Sequence, residues 1–229
     1  MPSTATAAPG SDNSAGLVLG QLKDDILTGF FSPGEKLKMT TLKARYQVGV
    51  SPLREALSQL LVEQLVVVEN QRGFKVHPIS QAEMQDIYQT RSHIEALCVV
   101  QAIENGDDAW EAGIVAAAHQ LKKSASLLEQ SEADLHRWEA LHQAFHTAIA
   151  RGCQSPSLLH VRRSLYEKAS RYRNLWLKQN MIDGVVFDAN QKDHNDLVDA
   201  VLARDSDTAE RLIKEHLLAP YRALKNFVY

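Results

Sequence analysis

Four histidines in the second half of the chain have the spacing of a ligand set. His142 and His146 are one helical turn apart, so both rings leave the same face. His194 runs with Leu197, Val198 and Val201, and His216 with Ala209, Leu212, Ile213 and Leu217, each on an apolar face. A single histidine on such a face is most often a satisfied core residue. Four on the inward faces of three helices are better explained by convergence on a divalent transition metal. All-imidazole ligation suits Zn, Ni, Cu or Fe and not Ca or Mg; Zn is the expected ion, with Ni the alternative. A His cluster can also activate water, so a metal-dependent hydrolase is the rival reading, although no obvious general base stands beside the cluster.

Two arginines interrupt apolar stripes nearby. Met84, Ile87, Arg91, Ile94 and Cys98 advance by three and four, and Arg173 sits on the stripe Leu159, Tyr166, Ala169, Trp176. A buried guanidinium is costly unless an anion pairs with it. The anion is either the carboxylate of a ligand or an internal Glu or Asp. If it is a ligand, two arginines suggest more than one carboxylate.

A third constellation lies near the front. After Pro52, which a helix tolerates in its first turn, Leu53, Ala56, Leu57, Leu60 and Leu61 form an apolar stripe, and Ser51, Arg54 and Ser58 share another face. A helix that reads DNA presents its N-terminal residues to the major groove and its apolar side to its own domain. Arg54 can reach a guanine edge or a phosphate, and Ser51 a phosphate or base edge. An ordinary surface helix fits the same periodicity.

These residues need elements to carry them. Residues 1–15 read as a disordered tail, rich in Ser, Thr, Ala, Pro and Gly. Leu19, Leu22 and Ile26 mark a first helix, stopped by Gly29 and Ser32-Pro33-Gly34. A short second helix fits Thr41 to Tyr46 with Thr40 or Thr41 as N-cap. The recognition-like helix comes next, then two β-prone runs around Glu69-Asn70-Gln71-Arg72-Gly73, the pattern of a hairpin with Arg72 at its tip. Three helices and a hairpin are the order of a winged helix-turn-helix, over 16–78.

Ser80-x-x-Glu83 then opens a capping box. Residues 79–229 read as an all-α helical bundle, with helices at about 80–104, 108–130, 132–151, 156–182, 188–204 and 206–226. Gly106, Ser131, Gly152 with Pro156, Gly184 and Asp205-Ser206 break it, and Pro220 is expected to kink or end the last helix. Asp193, Asp196 and Asp199 read as solvated faces and caps, Cys153 as a small residue at a helix end, and Trp110, Trp138 and Trp176 as core or interface.

Composition agrees with a mainly α, globular chain. Of 229 residues, 45% are apolar and 23% charged, and no apolar run approaches the roughly 20 residues of a membrane span. The opening residues lack the basic-then-apolar layout of a signal peptide. Two cysteines, Cys98 and Cys153, fit a reducing cytoplasm. The net charge of −3 divides unevenly: 17–78 carries 8 Lys/Arg against 6 Asp/Glu, and 79–229 carries 17 against 21.

The segment 17–78 resembles the DNA-binding domain of the GntR family of bacterial transcription regulators. The matching pieces are Ser32-Pro33-Gly34-Glu35-Lys36-Leu37, Leu42 with Tyr46, Pro52-Leu53-Arg54-Glu55-Ala56-Leu57 with Leu60, and Arg72-Gly73-Phe74-Lys75-Val76. The resemblance implies that Arg54 is the DNA-reading arginine, Ser51 the small hydroxyl position and Arg72-Gly73 the wing tip. Thr40, Lys43 and Pro52 complete the expected DNA face. Members often carry Ser-Arg where this chain has Gly49-Val50, so one arginine contact is missing and the operator sequence is expected to differ.

Residues 80–220 resemble the all-helical FCD effector domain of the FadR-type branch of that family. His146, His194 and His216 match the three histidines of its metal-containing members, and His142 occupies the place of an acidic ligand. Arg91 matches an arginine that contacts the effector. Within the branch, Arg54-Glu55-Ala56-Leu57-Ser58-Gln59-Leu60, Asn70-Gln71-Arg72-Gly73-Phe74, His142-Gln143-Ala144-Phe145-His146-Thr147-Ala148-Ile149 and Ala169-Ser170-Arg171-Tyr172-Arg173 are similar to members that govern glutarate catabolism. The resemblance implies a homodimeric repressor on operator DNA, relieved by glutarate or 2-hydroxyglutarate. Arg91, Tyr166, Arg173 and Asn195 are the expected ligand contacts.

Overall fold

The computed structural model describes residues 11–69, 73–125, 132–180 and 184–225. The chain divides into two compact units, Met1–Ile79 and Ser80–Tyr229. The sequence places the boundary one residue earlier.

In the first unit the order is α1 (Ser11–Leu27), β1 (Lys36–Leu37), α2 (Met39–Tyr46), α3 (Val50–Val62), β2 (Val66–Glu69) and β3 (Gly73–Val76). Leu22, Ile26, Leu42, Leu53, Leu57, Leu60, Leu65 and Val66 are buried together, so the apolar stripes of α1 and α3 face one core. The strands form an antiparallel sheet in the order β1-β3-β2, with Val66 opposite Val76 and Leu37 opposite Phe74. Sequence periodicity misses β1 because two residues are too few to show alternation. Gly34, at a φ of 78°, turns the chain into β1 in a conformation that suits glycine.

Two boundaries differ from expectation. α1 begins at Ser11, inside the stretch read as a disordered tail. α2 begins at Met39 after Lys38, which caps with no side chain; Thr40 lies in the first turn and is no N-cap. Met39 is partly buried against the core, and packing of an apolar residue outweighs the capping preference of a threonine. Asp25 ties α1 to α2, accepting hydrogen bonds from Arg45 Nε (2.5 Å), Arg45 Nη2 (2.7 Å) and the Tyr46 hydroxyl (2.5 Å).

The second unit is helical throughout its described residues: α4 (Gln81–Asn105), α5 (Asp108–Ala125), α6 (Glu132–Arg151), α7 (Pro156–Asn180), α8 (Gly184–Leu202) and α9 (Ser206–Leu224). Ser80 caps α4 as the sequence predicts, its hydroxyl accepting from the Glu83 N–H at 3.2 Å. α4 packs against α7 and α9, α5 against α6 and α8, and α8 against α9. The core between them holds Val99, Ile114, Trp138, Phe145, Ile149, Leu197, Val201, Ile213 and Leu217. Trp176 lies outside the described side chains.

α8 starts at Gly184, read from sequence as a breaker four residues before the helix; glycine is a weak stop at a helix end, where little backbone order is at stake. α9 runs past Pro220 to Leu224, within the span of about 206–226 read from sequence. The missing proline N–H costs one hydrogen bond near the helix end, and buried Leu224 anchors the last turn. Trp110 clamps the far end of the bundle. Its indole N–H donates to the carbonyls of Ala148 (3.0 Å) and Ile149 (2.9 Å), and its ring lies where side chains on Gly106 and Gly152 would be.

Candidate functional site

α6 carries Glu139, His142 and His146, spaced three and four apart and therefore on one face. α8 supplies His194 and α9 supplies His216. All four imidazoles are buried, and one nitrogen of each lies within 4.8 Å of the others. The Nε2 atoms of His142 and His146 are 3.1 Å apart and those of His194 and His216 3.3 Å. Four nitrogens on a tetrahedral Zn at about 2.0–2.1 Å stand about 3.3 Å from one another, so these two pairs have the spacing, and the donor set the type and number, that suit a borderline transition metal.

Burial, then the neighbouring imidazoles, pushes the pKa of His142, His146 and His194 well below the ordinary histidine value. Neutral imidazole is the form that ligates. His216 Nδ1 lies 3.5 Å from Asp193 Oδ2, the outer carboxylate that often orients a metal-binding imidazole. Asp193, read from sequence as a solvated residue, thus has a partner. Trp138 stacks on His142 with ring centroids 4.8 Å apart.

The two stripe arginines are buried close by. Both have internal carboxylate partners, the second of the two alternatives open in the sequence. Arg91 Nη2 lies 3.4 Å from Glu95 Oε1 on its own helix, and Glu95 Oε2 also accepts from Arg162 Nε at 2.6 Å. Arg173 Nε donates to Glu139 Oε2 at 3.0 Å, and Tyr166 donates its hydroxyl to Glu139 Oε1 at 2.7 Å. The Tyr166 ring lies beneath both guanidinium groups, 5.2 Å from Arg91 and 4.5 Å from Arg173.

The pairing is incomplete. Among the described residues, Arg91 Nε, Arg162 Nη2, Arg173 Nη1, His142 Nδ1 and the Tyr88 hydroxyl are buried with no hydrogen-bond partner. Burial lowers the Arg91 pKa against the opposing pull of Glu95. For Arg173 burial acts in the same direction, but Glu139 carries the value above the ordinary arginine range. Among the described residues, two carboxylates against three guanidiniums leave this cluster with one uncompensated positive charge.

Asn195 is not part of this pocket. One residue past His194 the helix has turned about 100°, which leaves Asn195 exposed and accepting from Gln191 at 3.3 Å. Sequence reading missed Tyr88, Glu95, Glu139 and Arg162. Glu95 stands four residues after Arg91 and Glu139 three before His142, so helical spacing could have found both. Tyr88, three residues before Arg91, carried the same signal.

In the first unit, Leu53, Ala56, Leu57 and Leu60 of α3 are buried, and Ser51 and Arg54 are exposed on the other side. Arg54 lines a groove with Lys36, Lys38, Met39, Glu69 and Gly73, which brings the start of α2, the tip of α3 and the hairpin to one surface. Thr40 and Lys43 are exposed on α2, and Pro52 lies in the first turn of α3. Arg72 falls outside the described residues. No side chain caps α3 at Gly49, so its first turn keeps backbone N–H groups for an anion.

No described helix is long and apolar enough to cross a membrane. The model of the gntR family of bacterial regulatory proteins matches residues 16–76, and that of the FCD domain matches 86–219. The HTH-type transcriptional repressor GlaR of Escherichia coli K12 is 46% identical over 87% of this chain and 90% of its own length. An uncharacterized HTH-type transcriptional regulator, BphR of Paraburkholderia xenovorans, is 32% identical over 90% of this chain and 83% of its own length. Among solved structures, E. coli McbR/YncC superposes with a TM-score of 0.78 at 19% identity, covering 93% of this chain and 97% of that one, a likeness of fold. GlaR and BphR are transcription regulators and not enzymes, which sets aside the hydrolase reading of the histidines. The chain belongs to the gntR family of bacterial regulatory proteins, as a transcriptional regulator with an N-terminal helix-turn-helix domain and a C-terminal FCD domain.

Proposed function

We propose that the chain is a cytoplasmic, homodimeric repressor whose hold on operator DNA is released by a small dicarboxylate of the glutarate or 2-hydroxyglutarate type. The observation that carries the effector assignment is the buried cluster of Arg91, Tyr166 and Arg173 beside the four histidines. Among the described residues it holds an excess positive charge and hydrogen-bond donors without acceptors. An anion with several acceptor oxygens satisfies both needs, and a second carboxylate uses the second arginine. His142, His146, His194 and His216 would hold a Zn or Ni ion, which adds positive charge for a carboxylate oxygen.

For DNA, Arg54 and Ser51 at the front of α3 read base edges and phosphates. Thr40, Lys43, Pro52 and Gly73 flank them, with Arg72 at the wing tip. A dimer is needed because an operator offers two half-sites. Repression ends when the effector binds the form of low DNA affinity better than the DNA-bound form; only that difference shifts the population. The repressor sign follows the 46% identical relative. Gel retardation of the operator across a glutarate series tests the reading: the shifted band fades as glutarate rises, and a band unchanged at every concentration overturns the effector.

A further inference from the structure

We propose that Tyr88 is a contact residue of the effector, its phenolic hydroxyl donating to an oxygen of the bound anion beside Arg91 and Arg173. The inference rests on the effector site proposed above and adds to it a residue outside the set expected from sequence.

Tyr88 is 1% exposed, and its hydroxyl has no hydrogen-bond partner among the described residues. A buried hydroxyl left unpaired is unfavourable, and native structures seldom keep one without a use. Tyr88 precedes Arg91 by three positions on α4, so the two side chains leave the same face. Its hydroxyl feels the charges of Arg173, Arg91 and Glu139, in keeping with its place on the Arg91 face of α4. The ring is held from behind by Tyr221 of α9, with centroids 6.4 Å apart. A fixed ring gives the hydroxyl a fixed aim.

The open positions have one chemistry in common. Arg91 Nε and Arg173 Nη1 are donors without acceptors among the described residues, and the Tyr88 hydroxyl can donate as a third. The matching ligand end presents acceptors only, as a carboxylate does. An amide or amine at that end brings donors against donors and is rejected. Glu139 already occupies one edge of the Arg173 fork, so the ligand takes the remaining edge and the Tyr88 hydroxyl together.

The test is Tyr88→Phe in the full-length, metal-loaded protein, with glutarate as probe, read by calorimetry and thermal shift. Removing a hydroxyl that has no partner among the described residues should leave the Tm measured without glutarate equal or higher. The same change should weaken glutarate binding about 10- to 100-fold, the weight of one hydrogen bond to a charged group, and shrink the glutarate-induced Tm shift in step. A purely structural tyrosine shows the opposite split, with a lower ligand-free Tm and unchanged affinity, and that result overturns the inference. Wild-type affinity in Tyr88→Phe overturns it too while leaving the effector site standing. Failure of the wild-type protein to bind malonate, succinate, glutarate or adipate brings down the effector site and this contact with it.

Discussion

His194 on α8 and His216 on α9 approach to 3.3 Å between their Nε2 atoms, although 22 residues separate them in sequence. Ring nitrogens at that distance can face one shared ligand, and a third and fourth ring close the cluster from α6. A cation placed among them satisfies all four acceptors at once. Elemental analysis of protein purified without a His-tag should therefore find about one transition-metal ion per chain, and His194→Ala should lose it. Chelation should lower the wild-type Tm and leave that of the variant unmoved; at a metal concentration about a thousand times Kd the difference amounts to about 4 kcal/mol. Equal metal content in both proteins removes the site.

With the metal stripped, the same burial makes stability depend on pH. His142, His146 and His194 are held neutral in the folded protein, their pKa well below the unfolded value near 6.5. Below that value the unfolded chain binds protons that the folded one refuses. Stability is thus complete above about pH 6.5 and falls as the pH drops further, by up to about 1.4 kcal/mol per pH unit for each histidine. Urea titrations of chelated protein between pH 7.5 and 5 should show the midpoint descending only below about 6.5. A midpoint that stays level across this range contradicts the burial of neutral rings.

The histidines were legible because each marks its own helix face. His142 and His146 declare theirs by a spacing of four, and His194 and His216 by the apolar residues around them. The partners of the arginines were legible only in part. Glu95 lies one turn from Arg91 on the same helix. Arg173 finds Glu139 across 34 residues on another helix, and no local period encodes a pairing that tertiary packing makes. Arg162, on the α7 face that meets Glu95, was hidden for the same reason. In the first unit, α3 showed its core stripe in full. The two-residue strand β1 exists only because β3 is there to pair with it.

Trp110 gives the bundle end a sharp test. A methyl group on Gly152 would stand 2.6 Å from the indole and 2.9 Å from the Ala102 methyl. The ring cannot slide away without giving up its hydrogen bonds to Ala148 and Ile149. Gly152→Ala should lower stability by about 1–3 kcal/mol and broaden the tryptophan fluorescence maximum toward the red. A Tm within a degree of wild type shows that the clamp is loose.

On the DNA side, Arg54 makes no ion pair among the described residues, and its guanidinium is exposed next to Lys36 and Lys38. Arg54→Ala should therefore leave the fold intact while operator affinity falls by about 1–3 kcal/mol. The preference for operator over unrelated DNA should narrow with it. Lys43→Ala, which removes one of the phosphate contacts proposed above, should weaken both DNAs alike and reduce the salt slope by about one. If Arg54→Ala weakens unrelated DNA as much as operator, the arginine holds a phosphate and reads no base.

Glu139 connects the pocket's chemistry to its stability. It is the carboxylate that Arg173 and the Tyr166 hydroxyl share, and its helix places it one turn before His142. Glu139→Gln keeps the shape and removes the charge. Arg173 then remains buried with a neutral partner, and breaking a buried pair from one side costs about 3–5 kcal/mol; the 16% exposure of the Glu139 side chain places the expected loss at the low end, about 3 kcal/mol. An added dicarboxylate should recover part of that loss, because the freed fork and the larger excess of positive charge both favour an anion. The variant should thus show a lower Tm without glutarate and a larger Tm rise with it than wild type. If the ligand-free Tm is unchanged, Glu139 is no counterion to Arg173. If the Tm falls and glutarate restores nothing, Arg173 is a structural arginine and the effector carboxylate goes elsewhere.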